Sequence, residues 1–521
     1  MPKERCKKRW VSEVMALVLV GFIVTLMGGE FYSPGAAAFE HETEKPSVTH
    51  HTITIDGKTM DYTATAGFVP IYEKKTGKDI AHLFYVSYTR DGVTDLGKQP
   101  VTFAFNGGPG VASMLLHLGA FGPRTVAKSL DGTQLLPPPY GVEDNENTLL
   151  DMTDMVFIDP VGTGYSHAVG DIDPHQFWGV MEDVNSVAEF IRAYLTENGR
   201  MLSPVCIAGE SYGGTRAAGL VKVLQDNGIY PSGIICVSPV FDFENIQWSS
   251  LGDRAIALAI PTYAAAAWYY KKISSRLQGD LEKTLEEVRK WTNDEYVPAL
   301  WKGNMLSPEV RKKIVDRLVE YTGLSPEYID RMNLRVTEDD FATELLKDQG
   351  RAIGIYDVRV SFPGVYADED DPSFFILTGP FKTSIADYFQ KELQFTTDQV
   401  YLSGSGEVYE QWNWQSGRPA PKYAGTVTLG FPDISALLVQ AMRRCGFLKV
   451  FIASGVYDLE CPYESVTYSI NHFNLPAERK QNISLHLYSG GHMIYTNPEA
   501  HRVLKQDLVD FYRQVLGTKN Q

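Results

Sequence analysis

Cysteine is scarce in this chain, 5 in 521 residues. So low a density excludes a small disulfide-stapled scaffold, and no spacing among the five suits a zinc site. Cys206 and Cys236 sit in apolar, strand-like runs, where a free thiol behaves as a small buried hydrophobe. Clusters of Lys and Arg are missing outside the extreme N-terminus, and the net charge is −16. Phosphate backbones are bound by clustered cations, so nucleic acid is excluded as a partner. Long hydrophobic runs are lacking too. The apolar stretch from Val14 to Met27 is shorter than the roughly 20 residues needed to cross a bilayer. Lys3, Arg5, Lys7, Lys8 and Arg9 precede it and Ala36, Ala37 and Ala38 follow it, which is the anatomy of a signal peptide. Residues 1–38 are therefore expected to be cleaved off, leaving a secreted or periplasmic protein with no stable membrane insertion. There is no internal repeat. The acidic run Asp368–Asp371 lacks the alternate ligands and glycine of a calcium loop and reads as a solvated loop.

Hydrophobic residues make up 44% and aromatics 12% of the chain, enough to build a large core. Strand signals at Thr52–Ile55, Ala81–Tyr88, Val101–Phe105, Met155–Ile158, Val205–Ala208 and Gly233–Val237 alternate with helical periodicity at Phe177–Leu195 and Thr215–Leu224. Such alternation predicts α/β architecture. From about residue 244 to 424 the pattern turns helical and aromatic-rich, as in Asp280–Trp291 and Pro308–Tyr321. We read 244–424 as a helical cap inserted between two parts of one core, 39–243 and 425–521. Within it, Tyr269 and Trp412 are candidates for shaping selectivity. The α/β pattern then returns: a helix around Ile434–Arg444, strands at Leu448–Ala453 and Ile483–Tyr488, and a last helix over Pro498–Leu516.

Gly209-Glu210-Ser211-Tyr212-Gly213 fits G-x-S-x-G between an apolar strand and a helix, the setting of a nucleophile elbow. A serine hydroxyl is a weak nucleophile until an imidazole takes its proton, and that imidazole needs a carboxylate to fix its tautomer. In the α/β-hydrolase fold the acid and then the histidine follow the serine, each on a loop after a strand. Asp458 and His492 meet both conditions, whereas His486 lies inside a strand and His501 inside the last helix. The loop Asn106-Gly107-Gly108-Pro109-Gly110 ends an early strand and offers backbone N–H groups to an oxyanion, with the N–H of Tyr212 as the second donor. These residues point to a serine hydrolase.

Four segments together resemble the serine carboxypeptidase family: Asn106–Gly110, Asp159-Pro160-Val161-Gly162-Thr163-Gly164-Tyr165-Ser166, Gly209–Gly214, and Gly491-His492-Met493. The resemblance implies an α/β-hydrolase core with a helical insertion, no metal or organic cofactor, and removal of C-terminal residues from peptides. It implies that Asn106 and Glu210 hydrogen-bond the terminal carboxylate of the substrate, and that Gly108 and Tyr212 supply the oxyanion N–H groups. Four positions depart from the pattern, among them Val111 where a Cys is common and Val456 where an Asp is usual. Ala104 stands where a Trp is usual, and Ala120 stands where a Glu is usual. A second carboxyl beside Glu210 thus has no counterpart, and Glu210 must be neutral by itself to accept an anionic substrate, which favours acidic pH. An esterase or acyltransferase using the same triad is the alternative within the fold; a non-catalytic exported binding protein is the alternative outside enzymes.

Overall fold

The computed structural model describes residues 45–247, 252–364, 371–418 and 430–517. The expected signal peptide, residues 1–38, and the expected cap boundary at 424 lie outside them. Among the described residues a ten-stranded mixed sheet forms the centre. Its first part is an antiparallel meander of β1 (Ser47–Ile55), β2 (Lys58–Tyr72) and β3 (Asp79–Arg90). The rest comprises β4 (Val101–Phe105), β5 (Asp154–Ile158), β6 (Val205–Glu210), β7 (Gly233–Val237), β8 (Lys449–Gly455) and β9 (Ile483–Tyr488), with the two-residue strand His167–Ala168 beside β3. The order is β1-β2-β3-β5-β4-β6-β7-β8-β9, antiparallel as far as the β3–β5 pair and parallel from β5 onward.

β2 is longer than anything the sequence pattern suggests, because Gly67 and Pro70 lower its strand propensity. Both are accommodated by position. β1 pairs only with Lys58 through Ala66, so the stretch holding Pro70 bonds β3 alone, and its missing N–H costs no ladder bond on the open side. A similar local adjustment precedes the first helix on the sheet: the helix expected from Phe177 starts at Val180, after a 3₁₀ turn at Pro174–Phe177.

Strands β4 to β7 are buried along their whole length, as parallel strands covered on both faces must be. Period-two alternation divides the side chains between two cores. Phe103, Ile207, Ile234 and Ile452 pack with Val184, Val187 and Leu220 of helices α1 (Val180–Glu197) and α2 (Tyr212–Asp226). Ala104, Ala208, Ile235 and Phe451 share the opposite core with Leu504, Leu508 and Phe511 of the C-terminal helix Pro498–Val515. Between β7 and β8 the described elements are helical apart from the ribbon of Arg351–Ile353 with Ser361–Pro363. There α3 (Asp253–Tyr269) and α4 (Pro308–Thr322) share a third core that reaches Val456, Tyr457 and Leu459 beyond β8. The helix α5 (Pro372–Lys391) instead sends Phe381, Ile385 and Phe389 into the second core.

Because β4 and β6 through β9 run parallel, their C-terminal ends gather on one edge. Asn106–Gly110, Ser211, Ser238, Asp458 and His492 all lie just past such ends, where ligands bind in α/β sheets.

Candidate active site

Ser211 turns the chain from β6 into α2 at φ 60° and ψ −126°, a left-handed corner that most side chains avoid. The corner closes only because its flanks are bare: a methyl at Gly209 would stand 2.1 Å from Gly213 O. The oxyanion loop leans on the same corner. A methyl at Gly107 would stand 2.6 Å from both Glu210 O and Tyr212 N, and Gly108 itself has φ +102°, a value that favours glycine. Tyr212 opens α2, so its N–H has no acceptor inside the helix. Gly108, Ser211 and Tyr212 line one cleft of about 780 Å³.

Asp458 is fully buried and His492 is 2% exposed. His492 Nδ1 bonds Asp458 Oδ2 at 2.9 Å, and the other carboxylate oxygen accepts the Cys461 N–H at 2.9 Å. Burial by itself favours neutral imidazole; the Asp458 charge and hydrogen bond outweigh it and favour the imidazolium. That is the species formed when a base takes the serine proton. Ser211 and His492 are each tied to the end of β7: Val237 O accepts the Ser211 N–H at 2.9 Å, and Ser238 Oγ donates to His492 O at 2.8 Å.

Asn106 holds the carboxyl that precedes the nucleophile. Its Oδ1 accepts the Leu115 and Leu116 N–H groups at 3.1 and 3.0 Å, which turns Nδ2 onto Glu210 Oε2 at 2.9 Å. Behind it, buried Arg216 donates Nε to Asp183 at 2.6 Å and Nη1 to Asn106 O at 2.6 Å, so an internal ion pair fixes the loop's backbone. Burial pushes the Glu210 carboxyl up to about 7, against the His492 charge and the bonds from Tyr495 and Asn106. The Asp159–Ser166 segment supports the loop from beneath: Asp159 Oδ1 accepts the Ser113 N–H at 2.8 Å, and Ser166 Oγ bridges Asp159 O and the Phe84 N–H at 2.6 and 2.7 Å.

The structure thus brings Asn106, Gly108, Glu210, Ser211, Tyr212, Asp458 and His492 to one edge of the sheet. Residues 55–297 match the family model described as serine carboxypeptidase. The chain is 25% identical over 179 residues to a pheromone-processing carboxypeptidase of Komagataella phaffii, covering 33% of this chain and 25% of that one. It is 31% identical over 166 residues to a pheromone-processing carboxypeptidase of Cryptococcus gattii, covering 29% and 22%. The chain therefore spans about a quarter of the length of these curated relatives. A crystal structure of a prohormone-processing carboxypeptidase from Saccharomyces cerevisiae superposes with TM-score 0.49 at 15% identity, over 86% of this chain and 91% of that one.

Several contacts of this site were not legible in the sequence. Tyr495, in the turn after His492, donates to Glu210 Oε2 at 2.8 Å. Tyr356 comes from the segment between β7 and β8; its O accepts the His492 N–H at 2.7 Å, and its ring meets the His492 ring edge-on at 5.1 Å. Glu460, two residues past Asp458, lines the cleft, and desolvation pushes its carboxyl up to about 7. A spacing rule finds none of them, since each depends on which distant loop lies opposite.

Two expectations need correction. Tyr269 and Trp412 are not among the cleft-lining residues: Tyr269 stacks edge-on against Tyr270 and Tyr457, and buried Trp412 packs behind Tyr212. Phe374, Phe375, Tyr409 and Trp414 line the cleft instead. Asp371, the described member of the acidic run, is not simply solvated; it caps α5 and accepts the Ile355 and Tyr356 N–H groups at 3.1 and 3.0 Å. All four described cysteines, Cys206, Cys236, Cys445 and Cys461, are free and buried. Among the described residues, no group of three or more His, Cys, Asp or Glu side chains could hold a metal ion, and no helix is long and apolar enough to cross a membrane.

Proposed function

We propose that this protein is a serine carboxypeptidase that removes C-terminal residues from peptides outside the cytoplasm. The observation that carries the reading is Glu210: a buried, protonatable carboxyl bonded to Asn106 and placed directly before Ser211. His492 takes the Ser211 Oγ proton as Oγ attacks the scissile carbonyl carbon, and Asp458 holds the imidazole in the tautomer that can do so. The N–H groups of Gly108 and Tyr212 stabilise the oxyanion. His492 then gives the proton to the departing amine, the released C-terminal amino acid, and water resolves the acyl-enzyme on Ser211 by the reverse path. A carboxylate only accepts hydrogen bonds, so Glu210 donates to the substrate's terminal carboxylate while neutral and repels it when ionised. The segment 244–424 acts as a cap that shapes the cleft, after a signal formed by residues 1–38 has directed export.

The test is KM against pH for one peptide offered as free acid and as C-terminal amide. Glu210 is neutral below about 7, so KM for the free acid is expected to rise as pH passes through about 7, while the amide, having no charge to repel, escapes that rise. Parallel curves would overturn the reading in favour of an esterase or acyltransferase with the same triad.

A further inference from the structure

Glu210 receives two hydrogen bonds on the same oxygen, and the two donors come from opposite sides of the site. Asn106 Nδ2 approaches Oε2 at 2.9 Å from the oxyanion loop, and Tyr495 Oη approaches it at 2.8 Å from the turn behind His492. Tyr495 is fully buried. Space for its ring is made by the turn Leu116–Phe121, where a methyl on Gly119 would stand 2.4 Å from Tyr495 Cε2. That turn also contains Ala120, where the family resemblance leads one to expect a carboxyl. Among the described residues, the hydrogen bonds to the Glu210 side chain come from Asn106 and Tyr495.

We infer that Tyr495 is the positioning residue of the C-terminal-carboxylate site, doing with a phenol what a second carboxyl would otherwise do: it reserves Oε2 of Glu210 as an acceptor and leaves Oε1 as the oxygen that carries the proton to the substrate. A second carboxyl would share its proton with Glu210 and titrate with it. A phenol does not. Burial and the neighbouring Glu210 hold Tyr495 well above its ordinary range, so it remains a donor at every working pH. Donation to Oε2 favours the ionised form of Glu210 and therefore sets the upper edge of the pH range in which that group is neutral. The other groups around Glu210 are accounted for. His492 and Asp458 act on it through space with opposite signs, Arg216 is turned to Asp183 and Asn106 O, and His117 on the 116–121 turn is turned to Tyr88.

This inference rests on the carboxypeptidase reading, and the experiment separates the two. Tyr495→Phe removes one oxygen and keeps the ring that fills the space beside Gly119. The ratio of KM for the free acid to KM for the amide is followed against pH in wild type, Tyr495→Phe, Glu210→Gln and the double variant. Loss of one hydrogen bond to the carboxylate raises the Glu210 pKa, so the midpoint of the rise in the ratio is expected to move up by about half to one pH unit in Tyr495→Phe. In the Glu210→Gln background the Tyr495→Phe change is expected to produce no such movement. A merely structural role would alter kcat or thermal stability and leave that midpoint in place. If wild type shows no difference between acid and amide, the carboxypeptidase reading fails. If wild type shows the difference but Tyr495→Phe leaves its midpoint unmoved, or moves it equally on Glu210→Gln, only the role of Tyr495 fails.

Discussion

Glu210 and Ser211 are neighbours in the chain with opposite demands. The serine must reach solvent and substrate, whereas the glutamate must be kept dry enough to hold a proton. The corner at Ser211 satisfies both, because reversing the chain there sends Oγ into the cleft and leaves Glu210 2% exposed at the end of β6. Replacing Ser211 or His492 by Ala is expected to cost on the order of 10⁴-fold or more in kcat, and Asp458→Asn a similar amount or somewhat less, because the three act as a unit. Purified Ser211→Ala retaining wild-type turnover would rule out the mechanism. Glu210→Gln keeps a donor at every pH, so the rise in KM for free-acid peptides near pH 7 should flatten. The sign follows from the raised carboxyl: neutral and attractive below about 7, ionised and repulsive above it. Protonation of His492, which the Asp458 carboxylate favours, reduces kcat as pH falls, whereas KM for the free acid follows Glu210, so the two parameters respond to different groups.

Residues 355–358 are clasped between the two catalytic loops. Ile355 O accepts the Leu459 N–H at 3.0 Å and the Val358 N–H reaches Tyr457 O at 3.0 Å, which pins the Asp458 loop; Tyr356 O takes the His492 N–H at 2.7 Å, which pins the other. Asp371 holds the segment from outside, and Arg359 pairs with buried Asp357 at its far end. One stretch between β7 and β8 therefore sets the distance between acid and base. Tyr356→Ala removes the ring packed against His492, and kcat is expected to fall on the order of tenfold to a hundredfold through misorientation of the imidazole. The rate of fluorophosphonate labelling should fall in parallel with peptide turnover. Labelling unchanged while turnover drops would show that Tyr356 acts on the substrate and not on His492.

Across the whole molecule, the sheet edge and the elements between β7 and β8 contribute different things to one cleft. The edge provides the reactive groups, and Phe374, Phe375, Tyr409 and Trp414 provide much of the apolar wall. Lys382 lies over the rings of Phe374 and Phe375 at 5.3 and 5.7 Å, so the wall is not uniformly apolar. Substituting Phe375 or Trp414 by Ala should change KM and the order of preferred peptides by severalfold, with the fluorophosphonate labelling rate of Ser211 little affected. Competition among a mixed peptide library measures this directly. Labelling lost in step with turnover in folded protein would contradict the division of labour.

How much of this could be read beforehand differs by residue. The strands from Val101 to Val237 and the G-x-S-x-G corner were legible because parallel strands buried on both faces are written as continuous apolar runs, and a left-handed serine corner needs its bare glycines in fixed places. Asp458 and His492 could be proposed from order alone, since each follows a strand whose end must lie at the same edge. β2 was hidden by Gly67 and Pro70, whose cost vanishes only where β1 stops pairing. Tyr356, Glu460 and Tyr495, and the true lining of the cleft, to which Tyr269 and Trp412 do not belong, could not be found by any spacing. Local sequence determined the turn at Ser211 and the strands whose ends carry Asp458 and His492, because both rest on short-range backbone geometry. Only the tertiary structure decided which phenol meets Glu210 and which backbone grips His492, because those partners lie far from them in the chain or in a neighbouring turn, and packing alone brings them within 3 Å.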